Sequence, residues 1–240
     1  MFLITATQYI KNERDKVGHI VDNKKVMIKV RKALKRLSRR IRSKKNRGIL
    51  IFWVVAIGLV AAAIYSSNMA KRVDATAYTN LLSTIAEGES LGNYNAYFNN
   101  PNNSSLKLTE MTISDVLAWQ ENYVAAGNAS SAVGRYQIIQ PTLKGLVREL
   151  GIDQSQVFNE QTQDRMAIAL IERRGSLDFI NEKISAEQFA ANLAKEWAAL
   201  PAIHGDRPTE SFYSGDGLNQ SRISVGAILG AVGEFKSLAK

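Results

Sequence analysis

The chain has 240 residues, with 31 Lys or Arg, 22 Asp or Glu, two His and no Cys. The missing thiols exclude disulfides, thiolate catalysis and Cys-ligated zinc, and two histidines argue against a His-rich metal centre, so neither a metal nor any other cofactor is expected. The formal charge of +9 is unevenly placed: residues 1–47 carry sixteen Lys or Arg against three acids, whereas residues 48–240 carry fifteen against nineteen.

In the basic tail, Val30, Leu34, Leu37 and Ile41 recur at helical spacing with Lys and Arg between them, the pattern of a basic amphipathic helix. Such a helix suits contact with anionic lipid better than nucleic acid, which is not expected as a partner. Residues 48–70 then run for 23 positions without a charge, and Trp53 and Tyr65 stand near the ends of their most apolar part. A run of about 20 apolar residues crosses a bilayer core, and the basic excess before it predicts a cytoplasmic amino terminus. The reading is an uncleaved signal anchor with residues 71–76 as linker and 77–240 as one periplasmic domain; a cleaved signal would need a far shorter basic region.

Tyr78, Leu81, Leu82, Ile85 and Ala86 predict the first helix of that domain. The polar, Asn-rich stretch Gly92–Glu110 reads as a long functional loop. Thr112 with Asp115 caps a second helix reaching about Val124, and Pro141 opens a third that stops at Gly151. Asn159 caps a fourth ending at Gly175, Ser185 with Gln188 caps one carrying Phe189, Leu193 and Trp197, and Ser221 is read as the cap of the last, with Val225, Ile228, Val232 and Phe235. The domain is expected to be α+β and mostly helical.

Carrying the first helix forward at about 100° per residue places Glu89 roughly 20° from Tyr78, inside the apolar stripe, and Glu87 on the opposite side at about 180°. A carboxyl at the end of a buried stripe is desolvated, which favours its neutral form and suits a general acid. Other site types lack support. His204 near Asp206 has no serine in an elbow context, the Ser214–Gly217 turn lacks the alternating acids of a calcium loop, and no phosphate-binding glycine motif occurs.

The segments Ala86–Ser90, Gly92–Ala96, Ser130–Ile138, Glu172–Gly175 and Trp197–Pro201 resemble, in that order, the lysozyme-superfamily endolysins and virion muramidases of bacteriophages, most closely the lambda-type lytic transglycosylases. The resemblance spans roughly residues 77–236. It implies a lysozyme-like α+β domain whose cleft lies between a helical and a smaller lobe, a catalytic acid at Glu89, and a Gly134–Gln137 segment along the cleft. Tyr94, Asn95, Ser131, Arg135, Tyr136 and Gln137 are then candidates for contacts with the glycan.

The reaction implied is cleavage of the MurNAc-β-1,4-GlcNAc bond of peptidoglycan by a monomeric enzyme. Closure of a 1,6-anhydro ring needs one acid, whereas hydrolysis usually uses a second carboxylate, for which Glu110 and Asp115 are the candidates. The transglycosylase outcome is preferred. A catalytically silent glycan-binding or virion assembly protein is the alternative from another class.

Overall fold

The computed structural model describes Lys32 and residues 73–239. The expected anchor at 48–70, and the basic tail except for the helical, exposed Lys32, lie outside the described residues. Among the described residues no helix is long and apolar enough to cross a membrane.

After a short 3-10 turn at Ala75–Tyr78, helix α1 runs over Thr79–Ser90 and buries Leu81, Leu82, Ile85 and Ala86. Helix α2, Ile113–Ala125, starts where the Thr112 hydroxyl accepts from the Asp115 N–H. Helix α3, Gln140–Leu150, has Pro141 in its first turn, where no intrahelical donor is missed, and ends on Gly151 at a φ of 61°. Asn159 caps α4, Glu160–Arg173, and Ser185 caps α6, Ala186–Ala194, each through its side-chain oxygen. These are the caps expected from the sequence.

Three boundaries differ from the expectation. A separate helix α5, Ser176–Ile180, follows Gly175, whose φ of 100° breaks the chain direction. Trp197 falls beyond α6, because Lys195 and Glu196 tighten onto Asn192 and Leu193 with bonds to the third residue back. The last helix, α7, is Val225–Leu238 and is capped by Ser224 rather than Ser221. The reason is tertiary: the N–H groups of Arg222 and Ile223 both donate to the Ala199 carbonyl, at 2.9 and 3.2 Å, and so are not available to a helix starting at Ser221.

Helix α7 packs on α1 and α6, α2 on α3, and α4 on α1 and α5. An aromatic line ties four of these elements together: Tyr78 meets Phe235 at 4.8 Å, Phe235 meets Phe189 at 6.1 Å, and Phe189 stacks on Phe179 at 5.0 Å. Offset or tilted aromatic pairs contribute roughly 0.5–1.5 kcal/mol each beyond area burial.

The β part is smaller than expected. Among the described residues pairing is limited to isolated bridges, of which Val133 with Ile138 closes a tight turn over Gly134–Gln137. Asparagine amides replace a ladder in the 92–110 segment. Asn103 is 5% exposed and donates to Asn95 O and Leu106 O at 2.6 and 2.7 Å, while its oxygen accepts from the N–H of Leu106 at 3.1 Å. Asn93 donates to the carbonyls of Pro101 and Asn103. Each amide side chain thus satisfies main-chain groups that would otherwise be buried without partners.

Asn103→Ala leaves several of those groups unpaired. Urea unfolding should show a loss of about 2–4 kcal/mol, whereas Asn102→Ala, at an exposed neighbouring position, should stay within about 0.5 kcal/mol. Similar values for the two variants would remove the amide scaffold as an explanation of how this segment is held.

Candidate functional site

Helix α1 delivers Glu89 to its last turn. The residue is half-buried, and its Oε1 accepts from the Ala199 N–H at 2.9 Å. Glu87, two positions earlier, is exposed. Burial pushes the Glu89 carboxyl up to about 7, against the smaller opposing pulls of the Ala199 hydrogen bond and the Arg222 charge. The protonated form therefore persists to neutral pH.

The approach of residue 199 depends on Gly88. A Cβ there would lie 2.8 Å from Ile223 Cγ1 and 2.9 Å from Ala199 Cβ, so only glycine lets these segments close on the helix. Beyond Glu89, the helix ends with Leu91 in the left-handed region at a φ of 55°, and the Gly92 N–H returns to Ala86 O at 3.1 Å. Ser90 then links α1 to the turn: its hydroxyl donates to Arg135 O at 2.7 Å.

The Gly134–Gln137 turn is fixed from three sides. From α4, the buried Gln163 amide accepts from the Arg135 N–H at 2.9 Å and donates to Tyr94 O and Phe158 O. Gly134, at a φ of 76°, leaves the room this needs, since a Cβ would fall 2.3 Å from Gln163 Oε1. From α2, buried Gln120 donates to Ser131 O and Ile138 O at 2.6 and 2.9 Å. Trp197 closes the third side, its indole N–H donating to Tyr136 O at 3.3 Å.

Among the residues expected to meet the glycan, several have their polar atoms committed to the fold. The Tyr136 side chain is 1% exposed, and its hydroxyl donates to Asp164 at 2.6 Å. Tyr94 is half-buried; its hydroxyl donates to the same carboxylate and accepts from Arg135 Nη1 at 2.6 Å. Burial raises the pKa of both phenols, so they remain neutral donors. Asn95 accepts from Thr109 N–H at 2.9 Å, and Ser131 accepts from Gln140 N–H at 3.0 Å, which caps α3 from a distance.

Gln137 also spends part of its side chain on the fold, its Nε2 donating to Gly134 O at 2.9 Å. It holds a φ of 46°, a costly conformation for a residue with a side chain, and lines a cavity of about 280 Å³ with Ile138, Leu170, Trp197 and Tyr213. The Arg174–Glu196 ion pair, at 2.6 Å, forms another wall. The turn that Ser90 binds supplies Tyr136 and Gln137 to this cavity, and Trp197, two residues before Ala199, supplies another wall.

Ala199, Arg222 and Tyr213 were not among the candidate site residues read from the sequence, although Ala199 lies in the Trp197–Pro201 segment. Ala199 acts through its main chain, which leaves no side-chain signal, and Arg222 reaches α1 across 134 positions. Among the described residues, no group of three or more His, Asp or Glu is arranged to hold a metal ion.

A family model described as Endolysin matches residues 79–215. No curated protein and no solved structure matches the chain.

Burial of Glu89 has a measurable consequence for stability. Because the folded-state value is raised from 4.5 to about 7, the contribution of the neutral carboxyl is fully present below about pH 4.5 and is lost as pH rises through about 7. The full swing is on the order of 3 kcal/mol. Glu89→Gln keeps an acceptor for Ala199 without the charge, so its melting temperature should gain on the wild type between pH 4 and pH 8 by several degrees. A difference that does not change with pH would contradict the desolvated carboxyl.

Proposed function

The chain belongs to the endolysin family, phage enzymes that degrade peptidoglycan, and from that premise we propose that it cleaves the MurNAc-β-1,4-GlcNAc bond as a lytic transglycosylase, with Glu89 as its one catalytic acid. The observation that carries this reading is the setting of Glu89: a desolvated carboxyl, held by one main-chain N–H, on which Arg222 and no second carboxylate acts by charge among the described residues. A second carboxylate at the working distance of a hydrolase would repel that charge and raise the pKa further.

The steps follow from the chemistry of one carboxyl. Neutral Glu89 gives its proton to the glycosidic oxygen, the C1–O bond breaks, and the N-acetylglucosamine side leaves as an alcohol. Positive charge develops at C1 of the muramyl ring. The 6-hydroxyl of that ring then bonds to C1 and returns its proton to the Glu89 carboxylate. The acid is regenerated, a 1,6-anhydro end is formed, and no water is consumed.

The candidates for a hydrolytic partner are occupied or distant in role. Asp115 accepts the Thr112 hydroxyl at 2.6 Å in the first turn of α2, and Glu110 is exposed at the end of a 3-10 turn. On the glycan side, the Gln137 amide oxygen and the half-exposed Tyr213 ring suit what a sugar presents to a protein: an acceptor for its hydroxyls and an apolar face for stacking. Tyr94, Asn95, Ser131, Arg135 and Tyr136 hold this wall in shape.

The same reading places the domain in a lysozyme-like, two-lobed α+β fold acting as a monomer. Residues 48–70 anchor it in the inner membrane, with the basic tail on anionic lipid in the cytoplasm and the enzyme facing the periplasm. What supports the anchor is the uncharged run and the charge asymmetry around it.

Glu89→Gln should lower cleavage of purified sacculi by 100-fold or more, the usual range for a lost general acid, while Glu87→Gln retains most activity. Equal losses would end the assignment. In the wild type, kcat/KM should fall as pH rises through about 7, because only protonated Glu89 starts the reaction. Mass spectrometry of the products should show anhydro-muramyl ends; reducing ends throughout would establish hydrolysis.

For the anchor, the full-length protein should stay with membranes in high salt. Electrostatic attachment alone would be stripped, since it is screened over about 8 Å at physiological ionic strength. Complete release by salt would show that residues 48–70 do not span the bilayer.

A further inference from the structure

Beyond the charge it sets against Glu89, Arg222 binds the segments that frame that residue through two of its groups. Its main-chain N–H donates to Ala199 O at 2.9 Å, and its guanidinium Nη1 donates to Gly88 O at 3.2 Å. The last carbonyls of a helix have no intrahelical partner, and Gly88 O is one of them in α1. A cation at this end also opposes the negative pole of the helix. Residue 222 therefore clamps the C-terminal turn of α1 to residue 199, whose own N–H is on the Glu89 carboxyl.

The surroundings leave this charge unrivalled. On α1, Glu87 is exposed. On the turn beside Ser90, Arg135 is held by Tyr94 and lies 3.7 Å from Asp164. On the segment after α6, Glu196 is paired with Arg174, and Lys195 lies over the Phe212 ring. The first turn of α7 carries no acid, and its Glu234 and Lys236 stand toward the far end, engaged with Asn80 and Glu182. Of these groups, Arg222 is the one that acts on Glu89 by charge, and it acts against burial.

Building on the single-acid reading, we propose that Arg222 is the positioning residue of this site: it caps Gly88 O so that Glu89 stays on the Ala199 amide, and its charge steadies the Glu89 carboxylate between the two half-reactions. The acid needs burial to hold its proton and a cation to release it. With burial alone, the carboxylate formed when the glycosidic bond breaks would be left in a poorly solvated place. The guanidinium acts without touching the glycan.

The test uses the full-length protein on purified sacculi, comparing wild type, Arg222→Gln and Arg222→Lys over pH 5 to 9. Loss of the charge in Arg222→Gln, which keeps an amide donor for Gly88 O, should lower kcat roughly tenfold with KM changed less than about twofold, and should move the alkaline limb of kcat/KM upward. Arg222→Lys should restore the limb to near the wild-type position. A lowered melting temperature with the limb unmoved in Arg222→Gln would overturn the proposal, because a clamp without an electrostatic role changes stability only. A failure of Lys to bring the limb back would overturn it as well. Failure of the underlying reading looks different, since Glu89→Gln would then still cleave sacculi whatever occupies position 222.

Discussion

Everything at this site depends on keeping one carboxyl out of water while leaving it one hydrogen bond. An ionised carboxylate in such a place is costly unless paired, so the group takes up a proton instead. The Ala199 amide offsets part of that tendency and Arg222 another part, and the balance sets Glu89 near 7 rather than far above it. A general acid works best when its pKa lies near the working pH, because it then both holds a proton and parts with it. The same burial makes the ionisation of Glu89 a strain on the fold.

The packing around this carboxyl is built from absences as much as from contacts. Gly88 leaves room for Ile223 and Ala199, and Gly134 leaves room for the Gln163 amide. In both places the missing side chain lets a second segment come within van der Waals contact of the backbone. Polar groups then lock the approach: Gln163, Gln120 and the Trp197 indole hold the 134–137 turn from three elements. Asp164 gathers the hydroxyls of Tyr94 and Tyr136 behind it. Buried hydrogen bonds of this kind rigidify the turn they hold, although Gln120 Oε1 and Arg135 Nε are left without a partner.

The helices were legible because their signals are local. Thr112, Asn159 and Ser185 each stand directly before an apolar period, and each accepts the N–H three residues on. Glu89 was legible for the same reason, since its place on the stripe of α1 follows from 3.6-residue geometry. Ser221 misled because the Ala199 carbonyl takes the N–H groups of Arg222 and Ile223, a contact more than twenty residues away that no local pattern announces. Tyr136 and Ser131 were read as glycan contacts because polar residues in a motif suggest a ligand. The fold instead turns their polar atoms inward, onto Asp164 and the start of α3. The β part of the α+β expectation is limited to isolated bridges among the described residues, and in the 92–110 segment, read as a loop, Asn93, Asn95 and Asn103 satisfy the main chain with side-chain amides.

The central claim, that Glu89 is protonated near neutral pH because it is desolvated, is tested most directly by following its side-chain carboxyl carbon by NMR through a pH titration of the labelled protein, with Glu89→Gln to assign the resonance. The account predicts a midpoint near 7. A midpoint in the ordinary glutamate range near 4.3 would contradict it.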